Sequence, residues 1–178
     1  TGPDTNSTAM AVMALRALTA RYTGSARDAQ RKTAVKGAAA RAAAWLTQQQ
    51  LSDGGWEWIR GLGADATSTS MALAAIGRKA TPTSRRGSTW LRRAMSIESN
   101  CGVAFQPGSL VDPLSTSWTL IGAEGALPYV RYTGPRTLTP CTGAQPGVLA
   151  AGTWLASALI DGEGQIPSPY SPDETDWN

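Results

Sequence analysis

Histidine is absent from this chain of 178 residues, and that one absence removes a wide range of chemistry. With no imidazole there is no Ser-His-Asp or Cys-His nucleophilic arrangement and no histidine-ligated metal. Phenylalanine occurs once, and aromatic residues make up only 7% of a chain that is 42% hydrophobic. Alanine therefore carries much of the apolar signal, and alanine is the strongest helix former. An all-α, closely packed body follows as the expectation. Charged residues are also scarce, at 16%, which argues against a long disordered segment. The length suits one domain with a substantial core.

Long hydrophobic runs are missing too. The longest, "GVLAAGTWLASALI" at 147–160, is too short to cross a bilayer, so no membrane span is expected. No phosphate loop or dinucleotide fingerprint occurs. There is no initiator Met and no signal-peptide layout, which reads as a mature chain or a piece of a longer one. Cysteine occurs twice, at Cys101 and Cys141, both in expected loops. The pair reads either as the disulfide of a secreted or cell-surface protein or as two free thiols.

Lys and Arg are missing from Asp161 to the end, a stretch with five acidic residues: Asp161, Glu163, Asp173, Glu174 and Asp176. The rest of the chain holds 16 basic and 8 acidic residues, a net of +8 against −5 for the tail. The basic clusters at 27–32, 85–88 and 91–93 read as solvated outer helix faces. Nucleic acid is not an expected partner, because no aromatics interleave with the basic residues and no recognition motif appears. A basic body beside an acidic tail favours head-to-tail association between chains. The five tail acids do not have the spacing of an EF-hand, and solvated loop charge explains them better than calcium does. No metal and no cofactor is expected.

What the chain does contain is a repeat. "PDTNSTAMAVMAL" (3–15), "ADATSTSMALAAI" (64–76) and "VDPLSTSWTLIGA" (111–123) share Asp, two residues, Ser-Thr, then small apolar residues. A Trp-Leu pair follows each: Trp45–Leu46, Trp90–Leu91 and Trp154–Leu155. From each Trp to the next aspartate the distance is 20, 22 and 19 residues, the last ending on Asp173. Each unit reads as a helical hairpin. Its first helix opens at the Asp/Ser/Thr cluster, where side-chain oxygens cap free N–H groups and acidic charge suits the helix dipole. Asp4, Asp65, Asp112 and Asp173 are the expected capping residues. The second helix ends soon after the Trp-Leu pair, stopped by glycines such as Gly54 and Gly55. Helices are expected near 6–22, 34–51, 66–79, 83–95, 114–126 and 145–160, with a Pro/Gly/Thr-rich loop at 127–144. The units run over about 1–63, 64–110 and 111–178. Repeats bury their faces only against neighbours. The chain starts and stops near repeat boundaries, which suggests a larger repeat protein or a second copy supplying neighbours.

The unit "WLTQQQLSDGGWEW…ADATSTSMALAAIG" resembles the repeat of protein prenyltransferase β-subunits and of squalene and oxidosqualene cyclases. It is also similar to the α/α-barrel domains of cobalamin carriers and complement-type thioester proteins. The resemblance implies alternating inner and outer helices in a closed toroid. Members have about six helix pairs, so three hairpins with six helices would make about half a toroid. One fold hosts unrelated activities, so function must come from residues.

The family activities each meet a gap here. A prenyltransferase zinc, held by Asp, Cys and His in the family, has no histidine to bind it, and the cysteines lack Cys-x-x-Cys spacing. The acid of class II terpene cyclases is the middle residue of Asp-x-Asp-Asp, and "DETD" at 173–176 puts Thr175 there. The thioester motif Cys-Gly-Glu-Gln is matched only at its start by "CGVAFQ" (101–106), with Val103 and Ala104 in place of Glu and Gln. No catalytic residue is therefore assigned. Trp45, Trp90 and Trp154 read as packing between units, and Trp56 and Trp58 as turn residues. Trp118 alone breaks the small-residue rule of the first helices. With Met10, Met13 and Met71 it forms a candidate wall for an apolar ligand, or else it fills core space. The expectation is a non-catalytic toroid repeat domain for binding or assembly, secreted or at the cell surface. Its partners would be an apolar small molecule, a protein, a second copy or the missing half of a toroid. The alternatives are part of a cyclase- or prenyltransferase-like enzyme with its catalytic groups elsewhere, and a cobalamin-type carrier.

Overall fold

Five α-helices make up the regular structure in the computed structural model, which describes residues 2–22, 24–77, 81–95, 102–123 and 155. They are α1 (Thr5–Thr19), α2 (Ala26–Gln48), α3 (Ala66–Ile76), α4 (Pro82–Ala94) and α5 (Pro113–Ala123). Extended pairing among the described residues is limited to three isolated bridges, Trp56 with Asp65, Met95 with Val103 and Ala104 with Val111. The fold is all-α. The expected helix at 145–160 and the loop at 127–144 lie outside the described residues, except for Leu155, which is helical.

Four starts fall within a residue of the expected positions because each carries a strong local signal. Asp4 and Asp65 cap α1 and α3, each accepting the N–H three residues on. Thr81 and Ser84 form a reciprocal capping box at α4, with Pro82 at its first position. The fifth start, that of α2, corrects the expectation. It begins at Ala26 rather than near 34, because Ser25 is the cap: its Oγ accepts the Asp28 N–H at 3.0 Å. Asp28 then places negative charge in the first turn, which suits the dipole. The basic run at 27–32 is thus helical, with Arg27 and Arg31 exposed. Ser25 stands outside the Asp-x-x-Ser-Thr pattern, so the repeat gave no hint of it.

α3 sits at the centre. It packs against α1 on one side and α5 on the other, while α4 and α2 also reach it. α2 lies along α1. The Asp-capped helices are therefore neighbours in chain order, each of the first two with its own second helix against it. Nine of the eleven residues of α3 are buried, including all four of Thr67, Ser68, Thr69 and Ser70. α4 shows the amphipathic alternative: Ser84, Gly87, Ser88, Leu91 and Ala94 face inward, while Arg85, Arg86, Arg92 and Arg93 are exposed.

Two apolar clusters form the core. One gathers Trp56, Leu73, Trp90, Leu91 and Val103 where α3 and α4 meet the loops. The other gathers Ala9, Val12, Leu46, Met71 and Ala75 between α1, α2 and α3. Glycine lets the loop after α2 fold tightly onto α4. A Cβ on Gly54, whose φ is +98°, would stand 2.9 Å from the Arg86 carbonyl oxygen.

Candidate functional site

The repeated motif builds a joint, and its residues divide the work. In the loop before α3, the Trp56 N–H donates to the Thr69 hydroxyl at 3.0 Å, while the Asp65 N–H donates to the Trp56 carbonyl at 3.0 Å. In the loop before α5, the Val103 N–H donates to the Thr116 hydroxyl at 2.9 Å, and the Asp112 N–H to the Val103 carbonyl at 3.1 Å. Both hydroxyl bonds span 13 residues. The threonine of Asp-x-x-Ser-Thr therefore ties the helix to its own preceding loop and is not part of the cap. That role was hidden in the sequence because the bond uses the backbone N–H of Trp56 and Val103, a donor that every residue but proline has.

The same loops also join one unit to the next. The first N–H of α1, from Thr5, donates to the Trp58 carbonyl at 3.3 Å, and the first N–H of α3, from Ala66, donates to the Phe105 carbonyl at 2.8 Å. Each carbonyl belongs to the residue seven before a capping aspartate. Gln50 and Asp53 secure the first loop from below. The Gln50 amide donates to Gly54 and Thr83 carbonyls at 2.8 and 2.9 Å, and the Trp90 ring N–H donates to Asp53 Oδ2 at 2.9 Å.

The three capping aspartates among the described residues, Asp4, Asp65 and Asp112, share a cap but not an environment. Each Oδ1 accepts the N–H of Ser7, Ser68 or Ser115, at 2.8, 2.7 and 2.7 Å. Asp65 is 2% exposed, and its Oδ2 also accepts the Ser68 hydroxyl at 2.7 Å and the Trp58 N–H at 3.2 Å. Burial nevertheless pushes its carboxyl above the ordinary value, with the Ser68, Trp58 and Thr67 donors opposing. At Asp4, the Ser7 N–H holds the carboxyl below the ordinary value. Asp112 Oδ2 is buried with no hydrogen-bond donor among the described residues. Its serine has another neighbour: the Ser115 and Thr67 hydroxyls lie 3.5 Å apart in the seam between α5 and α3.

Opposite shifts give opposite pH responses. A lowered carboxyl contributes stability above the ordinary value of 3.8, lost as pH falls through the folded-state value. A raised one contributes most below 3.8, and that contribution is lost as pH rises through the folded-state value. Between about pH 3 and 6, the unfolding midpoint of Asp65→Asn relative to the parent is expected to rise with pH, and that of Asp4→Asn to fall. Thermal melts across that range check this, and slopes of the same sign would refute it.

The candidate ligand wall is only partly assembled. Trp118 and Met13 are each half-buried against the second core cluster. Met71 belongs to that cluster and is 3% exposed, so it is core and does not line an open groove. Met10 is 55% exposed on α1. Trp45 packs on the same cluster as Trp118, and Trp90 is buried in the first. Cys101, Cys141 and Asp173 lie outside the described residues, as does Trp154. Among the described residues no three of His, Cys, Asp and Glu come together, and no helix is long and apolar enough to cross a membrane. No protein-family model, curated protein or solved structure matches the chain.

Proposed function

We propose that this chain is a non-catalytic repeat domain of the α/α-toroid type, made of three helical hairpins and serving binding or assembly outside the cytoplasm. The observation that carries this reading is the employment of the repeated polar motif. Asp65 presents both carboxylate oxygens to donors of its own helix and loop, and Thr69 closes the joint. A general acid or nucleophile must reach a substrate, and these groups are enclosed. The placement of α1, α3 and α5 as successive neighbours, with α2 against α1 and α4 against α3, supports the toroid arrangement.

Incubating the chain with squalene, or with farnesyl diphosphate, a cysteine-bearing peptide and zinc, tests the non-catalytic part. Mass spectrometry is expected to return every substrate unchanged. Product formation that follows the chain through purification would overturn the reading. The extracytoplasmic part is motivated by Cys101 and Cys141. Intact mass with and without reductant, differing by two hydrogens for a bonded pair, checks it.

A further inference from the structure

The tips of two neighbouring loops put large apolar side chains into water where α1, α3 and α5 begin. Trp58, Ile59 and Leu62 stand on the loop before α3, and Phe105 and Leu110 on the loop before α5, each 39% to 63% exposed. Trp58 and Phe105 hold the same place in their units, seven residues before Asp65 and Asp112. Only their carbonyls serve the joint, accepting the Thr5 and Ala66 N–H groups, so the joint sets no demand on their side chains. The loop before α3 is enclosed on both sides within the described chain. α1 begins against it, and the Gln106 amide of the other loop donates to the Leu62 and Ala64 carbonyls at 3.5 and 3.3 Å. Its exposed side chains therefore belong to an interior joint and not to a chain end.

Both tips have a built shape. Glu57 Oε2 accepts the Gly61 and Gly63 N–H groups at 2.7 and 3.1 Å, and both glycines have positive φ. In the second loop the Gln106 N–H donates to the Ser109 hydroxyl at 3.1 Å, and Gly108 has a φ of +86°. A Cβ on Gly61 or Gly108 would meet no atom within 4 Å among the described residues, so the tips stand clear of the body. Charge at this end adds a second character. Arg60 is exposed between Ile59 and Leu62, and the last turn of α4 brings exposed Arg92 and Arg93 to the same loops. Arg93 donates to the Asp53 carbonyl at 2.9 Å, and the Ala104 N–H to the Ala94 carbonyl at 2.9 Å. The acids here, Asp4, Asp53 and Glu57, each accept backbone N–H groups that offset their charge. The described residues include twelve Lys and Arg against six Asp and Glu, and two of the six, Asp65 and Asp112, are buried.

Building on the binding reading, we propose that these two tips seat the chain on an anionic lipid surface. Projecting apolar tips enter a soft planar surface directly, whereas a protein partner must supply hollows matched to them. Trp58, Ile59, Leu62, Phe105 and Leu110 go into the boundary between head groups and acyl chains. Trp58 suits that depth because its ring is apolar and its ring N–H is polar. Arg60 lays its aliphatic stem among them and carries its guanidinium to the lipid phosphates. The basic surface of the described residues draws the chain toward anionic head groups before the tips insert. The seating is peripheral and requires no spanning helix.

Flotation with vesicles of phosphatidylcholine and phosphatidylglycerol in equal parts tests the proposal. The full chain is expected to rise with them, less so in high salt, and to bind phosphatidylcholine vesicles more weakly. Trp58→Ser and Leu62→Ser, each with parental circular dichroism, are expected to lower the bound-to-free ratio about tenfold, because each removes one inserted side chain. Leu18→Ser, at an exposed apolar site near the far end of α1, is expected to bind like the parent. Lipids brominated in their acyl chains are expected to quench the tryptophan emission of the parent and to quench that of Trp58→Phe less. A parent that does not float, full binding by either tip variant, an equal loss in Leu18→Ser, or equal quenching of Trp58→Phe would overturn the proposal. So would self-association without flotation that Leu62→Ser abolishes, since the tips would then seat on a second copy. None of these outcomes alters the substrate assay above, and product formation there would leave the vesicle binding untouched.

Discussion

Trp56→Ala is expected to lower the unfolding free energy by about 3–5 kcal/mol, the range for removing a large buried aromatic. Small domains have about 5–15 kcal/mol in total, so this variant would stand close to unfolding. Trp56 is fully buried and packs among Leu73, Trp90, Leu91 and Val103. Its ring N–H donates to the Leu46 carbonyl at 2.6 Å, which ties the loop to the end of α2. The surroundings are shaped to it: a Cβ on Gly87 would stand 2.9 Å from the Trp56 ring. Trp56→Phe separates packing from hydrogen bonding. It keeps most of the ring volume but removes the bond to the Leu46 carbonyl, which retains the Gln49 N–H at 3.1 Å, at a cost of about 0.5–1.5 kcal/mol. Trp58, two residues on, is 48% exposed, and Trp58→Ala is expected to cost far less. Urea unfolding of the three variants decides the matter. Equal losses at positions 56 and 58 would show that the joint does not depend on the buried ring.

Gly122→Ala carries the second large effect, and its sign runs against helix propensity. Alanine in place of glycine inside a helix gains about 1 kcal/mol. Here the added Cβ would overlap the Ser70 carbonyl oxygen, a backbone atom of α3 that cannot swing aside. The helices must separate, and overpacking of this kind costs about 1–3 kcal/mol or more. The hydroxyl pair of Ser70 and Thr119, 3.2 Å apart, would be pulled open with them. Gly37, within α2, is the matched control. The nearest atom to its added Cβ is the end of the Arg41 side chain at 3.5 Å. Gly37→Ala is expected to stabilise by about 0.5–1 kcal/mol. Two glycine-to-alanine changes should therefore move the denaturation midpoint in opposite directions, and a stabilised Gly122→Ala would contradict the close approach of α3 and α5.

The helices were legible where a cap and an apolar pattern agreed, as at Asp4 and Asp65. They were illegible at Ser25, whose cap lacks the repeated motif. The basic runs were readable as outer faces because desolvating unpaired charge is costly, and α4 does turn its arginines outward. The candidate ligand wall was the least legible feature. A methionine at helical spacing looks the same whether it faces a groove or a core, and only the neighbours of α3 place Met71 inside.

Sequence alone determined the helical character of this protein, its Asp-x-x-Ser-Thr helix starts and the lack of any histidine-based chemistry. These are local matters, set by propensity, by capping over three residues and by which side chains are present. Tertiary structure decided the rest: that Thr69 and Thr116 bind their loops across 13 residues, that α3 is buried on nearly every side, and that Gly122 permits a backbone contact. Those depend on which backbone atoms are brought together. Main-chain donors and acceptors are the same in every residue but proline, so the sequence pattern carries no record of their partners.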